Sequence, residues 1–186
     1  MPDNKIILGL VGEIASGKDA MASYLKEKYN SKTMSFSAPI RKILDIIHLE
    51  QSRENMVWLA TDIRSRFGQD IWSKVISLDC KKNPNKLIVL PNIRLWEDTQ
   101  YLKENGDFFL IHIDAKAEIR YERLTKRGQN PDDKTKTWEQ FLKEAEMPTE
   151  FPIKEVAKKA TYRIENNGSY EVFYKQIDEL MEKISS

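Results

Sequence analysis

A glycine-bracketed loop between a strand and a helix constrains this chain more than any other feature. The apolar run 6–11 leads into G-E-I-A-S-G-K-D at 12–19, which fits G-x-x-x-x-G-K, and apolar residues at helical spacing follow to Tyr29. Such a loop binds phosphate when its amides point inward at a helix N-terminus and its lysine reaches the outer phosphates. The alternative is a plain strand-to-helix turn with an exposed lysine. We predict phosphate contacts from Gly12, Ala15, Ser16, Gly17 and Lys18.

Asp19 follows the loop lysine, at the position where serine or threonine is usual. A hydroxyl there ligates Mg²⁺ as a neutral donor, whereas a carboxylate is a stronger oxygen ligand that adds negative charge beside the phosphates. Three roles are open for Asp19: direct ligation of Mg²⁺, ligation through water, or stabilisation of the helix N-terminus.

Composition excludes several classes of protein. The 30 basic and 29 acidic residues give a net charge of +1, which argues against a dedicated nucleic-acid binder. The single cysteine, Cys80, forms no internal disulfide, and the run at 6–11 is too short for a signal peptide or a bilayer span. We therefore expect a cytoplasmic protein. The chain has 7 glycines against about 13 expected, and Gly9, Gly12 and Gly17 all lie in the strand–loop–helix unit.

Strand-like and helix-like segments alternate along the remaining chain. The predicted strands are 6–11, 33–36, 87–90, 108–113 and 162–164. The predicted helices are 18–29, one capped by Ser37, 52–78 with a break near Gly68, 96–102, 116–127, 137–144 and 169–184. Strands separated by helices pair in parallel and need cover on both faces. The pattern predicts a single α/β domain with three layers, αβα, around a five-stranded parallel sheet.

Several further segments occur in the order found in one known group of enzymes. They are S-F-S-A-P-I-R at 35–41, F-G-Q-D-I-W at 67–72, N-I-R at 92–94, residues 120–128 and N-N-G-S at 166–169. Together with the loop they resemble P-loop kinases of the nucleoside monophosphate kinase type. The likeness is greatest to deoxynucleotide monophosphate kinases, some of which carry G-K-D, and to archaeal adenylate-kinase-related and dephospho-coenzyme-A-kinase-like proteins. It implies the P-loop NTPase fold, an acceptor-binding helical region at about 37–80 and a lid at about 128–148.

The resemblance implies an arginine-lined site for the acceptor's phosphate. By position the candidates are Arg41, Arg64 and Arg94, and a guanidinium suits the task because its planar fork can bind phosphate through two hydrogen bonds. Arg41 and Arg94 also lie near the carboxyl ends of predicted strands, where open α/β sheets bind ligands. The alternative for each arginine is a solvated surface.

A second set of basic residues precedes the implied lid. Arg120, Arg123 and Arg127 share one helix face, and the window 116–136 has seven basic and four acidic residues. In the resembling family the arginine matching Arg123 packs on the ATP base and the one matching Arg127 contacts phosphate. We expect Lys18, Arg120 and Arg127 to act in catalysis. An ordinary basic helix face is the alternative.

The segment N-N-G-S at 166–169 follows the last predicted strand. In the resembling family this loop wraps backbone around the adenine, which implies base contacts from Asn167 and Gly168. Without the resemblance it is a turn followed by a helix cap.

The resemblance implies that ATP, with Mg²⁺, phosphorylates a (deoxy)nucleoside monophosphate to the diphosphate. One departure stands against it: relatives carry a carboxylate at the end of the third strand, whereas this chain reads P-N-I-R at 91–94. Either Asp19 compensates or activity is reduced. The alternatives are a kinase for dephospho-coenzyme A or another phosphometabolite, and a nucleotide-binding regulator with little turnover. We expect small-molecule nucleotides as partners, no nucleic acid or membrane, and a monomer or homodimer.

Overall fold

A parallel sheet of five strands forms the centre of the computed structural model, which describes residues 5–127, 133–147 and 150–185. The strands are β1 (Ile6–Val11), β2 (Lys32–Thr33), β3 (Leu87–Leu90), β4 (Asp107–Asp114) and β5 (Tyr162–Glu165). Their order in the sheet is β2-β3-β1-β4-β5, which puts β1 between β3 and β4. In register, Gly9 lies beside Leu90 on one side and Leu110 on the other.

Helices follow the strands and cover the sheet. They are α1 (Lys18–Tyr29), α2 (Ser37–Ile46), α3 (Arg53–Phe67), α4 (Ile71–Lys82), α5 (Ala117–Arg127), α6 (Trp138–Ala145), α7 (Phe151–Ala157) and α8 (Tyr170–Ser185). Two 3₁₀ turns, Trp96–Thr99 and Leu102–Asn105, connect β3 to β4. None of the helices within the described ranges is long and apolar enough to cross a membrane.

The two faces of the sheet carry separate hydrophobic cores. On one face Leu8 and Leu10 of β1 pack with Phe173 and Ile177 of α8 and with residues of α1. On the other face Ile7 and Val11 pack with residues of α4 and α7, including Cys80 and Ile153. Every residue of β1 is buried because helices cover both of its faces. The predicted three-layer α/β fold is confirmed.

A third apolar cluster holds the helical region after β2 together. Ile40 and Leu44 of α2 pack with Leu59 of α3 and Trp72 of α4. The indole nitrogen of Trp72 donates to the carbonyl oxygen of Ala60 at 3.2 Å, so its one polar atom is satisfied. The predicted break near Gly68 is confirmed, because α3 ends at Phe67 and α4 begins at Ile71.

Three predictions about local structure are wrong in detail. The second strand is 32–33 rather than 33–36. Ser37 is the first residue of α2 rather than its cap, and its amide donates to the hydroxyl of Ser35. The predicted helix at 96–102 is instead a pair of 3₁₀ turns, the first held by the side chain of Asp98, which accepts the amide of Leu95.

The structure describes part of the region that the resemblance implies to be a lid. The capping box of Thr137 and Gln140 is confirmed and begins α6. Residues 128–132 and 148–149 lie outside the described residues, and with them the start and end of the predicted lid. The helix α7 is not among the predicted helices. Pro152 fits in its first turn because the amides there need no intrahelical partner.

Truncation of Phe173 tests the core that supports the loop face. Phe173→Ala removes a ring that is 1% exposed, and a cavity of that size lowers the free energy of unfolding by about 3–5 kcal/mol. Its neighbour Val172 is exposed on the same helix, so Val172→Ala should change stability by less than about 0.5 kcal/mol. Urea unfolding of both variants followed by circular dichroism measures the difference, and equal losses would contradict the packing described.

Candidate active site

The loop between β1 and α1 is shaped by close backbone approaches. Gly17 has φ 113° and caps α1, and Ala15 also has a left-handed φ of 60°. A Cβ on Gly17 would lie 2.2 Å from Nδ2 of Asn166, and one on Gly12 would lie 2.4 Å from the carbonyl oxygen of Ile113. Glycine is therefore required at both positions. The geometry provides a backbone concavity at a helix N-terminus, which favours phosphate.

Lys18 lies over this loop. Its Nζ donates to the carbonyl oxygens of Gly12 at 2.7 Å and Glu13 at 2.9 Å. The pKa of Lys18 is lowered to about 8, mainly by burial and also by the positive charges of Arg94 and Arg120, while Asp19 and Glu150 oppose the shift. A partly desolvated ammonium near other cations gains more than a fully solvated one from an approaching anion.

Asn166 connects the loop to the far end of the chain. Its side chain donates to the carbonyl oxygen of Ser16 at 2.8 Å and accepts from Nη2 of Arg123 at 3.1 Å. Two buried polar atoms nearby, Oγ of Ser16 and Nη1 of Arg123, have no hydrogen-bond partner in the part of the chain described. Buried donors without partners are costly, so both atoms are suited to a polar ligand.

Glu13 and Arg120 tie the loop to α5. Nη2 of Arg120 lies 3.0 Å from Oε2 of Glu13, and its Nε donates to the carbonyl oxygen of Ala115. Arg120 is 4% exposed, and the central carbon of its guanidinium lies 5.3 Å from the centre of the Phe141 ring. Lys154 of α7 lies 3.8 Å from the other carboxylate oxygen of Glu13. Arg120 thus contacts the loop directly, with Glu13 as its counter-ion.

Asp19 and Arg127 meet at the exposed side of the loop. Nη1 of Arg127 lies 3.7 Å from Oδ2 of Asp19, whose side chain is 68% exposed. The described residues contain no cluster of three or more His, Cys, Asp or Glu that could hold a metal by themselves. One carboxylate nevertheless fits Mg²⁺, which keeps several waters and is commonly held by one or two carboxylates together with substrate phosphates.

The loop after β5 places Asn167 and Gly168 beside the start of α5. Oδ1 of Asn167 accepts the amide of Lys116 at 2.8 Å. A Cβ on Gly168 would contact only Val172, at 3.8 Å, so a larger residue would fit at this position without a steric clash at Cβ.

The predicted acceptor arginines divide into two groups. Nη2 of Arg64 lies 3.0 Å from Oδ1 of Asp98, and the amide of Arg94 donates to Oδ2 of the same carboxylate at 3.4 Å. Arg41 is exposed and donates to Gln51 at 2.9 Å. Arg64 and Arg94 therefore share Asp98, while Arg41 belongs to a separate network on α2.

Three residues of this site were missing from the sequence-based site: Glu13, Asn166 and Asp98. Asn166 lies in the N-N-G-S segment, where the resemblance implied contacts only from Asn167 and Gly168. Glu13 occupies a variable position of the loop pattern, and Asp98 lies in a segment without a motif. The partners of Glu13, Asn166 and Asp98 are distant in sequence, and folding brings them into contact.

The fold is similar to that of solved small-molecule kinases. Shikimate kinase from Bacteroides thetaiotaomicron superposes with a TM-score of 0.62, covering 97% of this chain and 99% of that one at 10% identity. The APS kinase of Mycobacterium tuberculosis, in complex with AMPPNP and APS, gives a TM-score of 0.56 over the full length of both chains at 17% identity. Likeness at such identities shows the fold, and the narrower resemblance to nucleoside monophosphate kinases stays a prediction.

In sequence the chain is similar to UPF0200 proteins of archaea. One from Methanococcus maripaludis is 26% identical over 184 residues, covering 96% of this chain and 97% of the relative. Another, from Sulfurisphaera tokodaii, is 28% identical over 178 residues with the same coverage. No protein-family profile matches the chain.

The pKa of Lys18 predicts pH-dependent phosphate binding. Because this pKa is lowered to about 8, the free lysine loses its proton above that pH, and affinity for ATP should then fall by up to about tenfold per pH unit. Lys18→Arg keeps its charge throughout and should show no such break near pH 8. Calorimetric titrations with ATP between about pH 7 and 9.5 compare the wild type with Lys18→Arg. A wild-type affinity that does not change with pH would contradict the role of Lys18 as a phosphate ligand.

Proposed function

We propose that this protein transfers the γ-phosphoryl group of ATP to a (deoxy)nucleoside monophosphate, producing the diphosphate and ADP. The observation that carries the proposal is the position of Lys18. Lys18 is partly buried over a phosphate-type loop, with Arg94 and Arg120 close enough to depress its pKa. A set of cations converging on one loop is suited to neutralising several phosphate groups at once.

The donor side is formed by the loop and α5. The amides from Gly12 to Lys18 would bind the β- and γ-phosphates, Arg127 would contact phosphate, and Arg123 would pack on the base near Asn167 and Gly168. Mg²⁺, held by Asp19 and the phosphates, would neutralise charge on the transferred group. Arg120 holds Glu13 and adds positive charge behind the loop.

The acceptor side is formed by Arg94, with Arg41 and Arg64 as further candidates. A phosphate oxygen of the monophosphate attacks the γ-phosphorus, and the bond from phosphorus to the bridging oxygen breaks, leaving its electron pair on ADP. The attacking oxygen is already ionised, so no strong general base is needed. Positioning and charge neutralisation then supply the catalysis.

A regulator that binds nucleotide with little turnover is the second candidate. The segment P-N-I-R after β3 has no carboxylate at the position where the nucleoside monophosphate kinases that the sequence resembles commonly carry one. Asp98, four residues beyond Arg94, is buried and accepts backbone amides rather than facing outward. Asp19 is therefore the carboxylate that we propose for Mg²⁺ binding.

A coupled assay of ADP release tests the proposal. ATP and Mg²⁺ are supplied with a panel of ribo- and deoxynucleoside monophosphates, together with dephospho-coenzyme A. We expect turnover with at least one monophosphate, and Lys18→Ala should lower kcat/KM by about 10²–10³-fold because it removes a charged donor to the transferred group. Lys26→Ala, an exposed lysine on the same helix, is the matched control and should leave turnover unchanged.

Other outcomes assign the protein differently. Turnover with dephospho-coenzyme A alone would replace the acceptor class while keeping the kinase. Calorimetric binding of ATP without consumption by any acceptor would reject the kinase and support the regulator. Full activity of Lys18→Ala would show that the loop between β1 and α1 is not the phosphate-binding site.

A further inference from the structure

We propose that Asp98 is a positioning residue of the acceptor site. Its buried carboxylate holds the backbone after β3 so that Arg94 is directed toward the phosphate-binding loop. This inference rests on the proposed function, because the position of Arg94 matters here as that of a ligand to the acceptor's phosphate.

The carboxylate of Asp98 is occupied on both oxygens. Oδ1 lies 3.0 Å from Nη2 of Arg64. Oδ2 accepts the amides of Arg94 at 3.4 Å and Leu95 at 3.1 Å. Asp98 is 3% exposed, and burial raises the pKa of its carboxyl while Arg64 opposes that rise. A buried carboxylate is costly unless paired and hydrogen-bonded, and here the pairing joins α3 to the loop that carries Arg94.

The residue before Arg94 is anchored to the phosphate-binding strand. The amide of Ile93 donates to the carbonyl oxygen of Leu10 at 3.1 Å, two residues before Gly12. Three successive amides, those of Ile93, Arg94 and Leu95, are thus bound to β1 or to Asp98. The backbone at Arg94 is fixed relative to the phosphate loop from both sides.

The side chain of Arg94, in contrast, is weakly held. It is 63% exposed, and its nearest ion-pair contact is 3.9 Å, to Oε1 of Glu150. Such an exposed pair contributes little. The direction of the guanidinium therefore depends mainly on the backbone that Asp98 fixes. Its charge still reaches Lys18, whose pKa it lowers, so the two cations lie within electrostatic range of each other.

A purely structural role for Asp98 makes a different prediction. Its bond to the amide of Leu95 also stabilises the start of the 3₁₀ turn Trp96–Thr99. If that were its whole function, its loss would lower stability and leave the acceptor's KM unchanged in the folded protein. A positioning role instead raises the acceptor's KM selectively and acts through Arg94.

A double-mutant cycle between Asp98→Asn and Arg94→Gln tests this. With the monophosphate that the wild type uses best, Asp98→Asn should raise the acceptor's KM about tenfold or more and leave the KM for ATP within about twofold. Arg94→Gln should raise the same KM at least as much. In the double variant, Asp98→Asn should add little further increase, because the residue it positions is already absent.

Asp178→Asn is the matched control. Asp178 also accepts from three donors, Tyr24, Tyr29 and Lys28, but on the α1–α8 side. It should lower the melting temperature without changing either KM. If Asp98→Asn does not fold, Asp98→Glu keeps the charge while moving the oxygens, and the same selective rise in KM is expected.

The results separate this inference from the proposed function. Wild-type protein that neither turns over nor binds any monophosphate in calorimetry overturns both. Normal wild-type turnover with an unchanged acceptor KM in Asp98→Asn overturns the inference alone. Independent, multiplying effects of Asp98→Asn and Arg94→Gln also overturn it, because Asp98 would then act by another route.

Discussion

The contact of Asn166 with Ser16 is the interaction on which the rest of the site depends. One amide side chain crosses 150 residues of sequence to reach the carbonyl oxygen of the phosphate-type loop. It lies so close to Gly17 that no side chain fits there, and its oxygen holds Arg123. The loop at the carboxyl end of β1 is therefore held by Asn166, which follows β5, and through it is connected to Arg123 of α5. Preorganised amides of this kind need little rearrangement when a charged ligand arrives.

Charge in the site is arranged as cations with assigned counter-ions. Arg120 is paired with Glu13, Arg127 with Asp19, Arg64 with Asp98, and Arg94 loosely with Glu150. These carboxylates offset the electrostatic repulsion between the arginines and the partly buried Lys18. The near-zero net charge of the chain is an average over such pairs. Under the proposed function, an incoming polyphosphate competes with these carboxylates, and we expect it to displace the exposed pairs more readily than the less exposed pair of Arg120 and Glu13.

Features set by local sequence were predictable, and features set by distant partners were not. The strands β1 and β3 are continuous apolar runs because both their faces are covered. The loop was predictable since its glycines stand at fixed spacing. The pairs Asn166–Ser16 and Arg120–Glu13 depend on the fold, and no pattern along the chain reports them. The segment 96–102 has helical spacing, but the Asp98 side chain binds the backbone there and a tighter turn results.

The third hydrophobic cluster has a consequence for how such a protein can diversify. Ile40, Leu44, Leu59 and Trp72 pack with one another in a cluster of their own, which meets one of the two sheet cores at Phe36. Substitutions on the outer surfaces of α2 and α3 can therefore reshape the proposed acceptor side without disturbing the strands that hold the phosphate-type loop. Under the proposed function, acceptor preference can change through this helical region while the loop between β1 and α1 is retained.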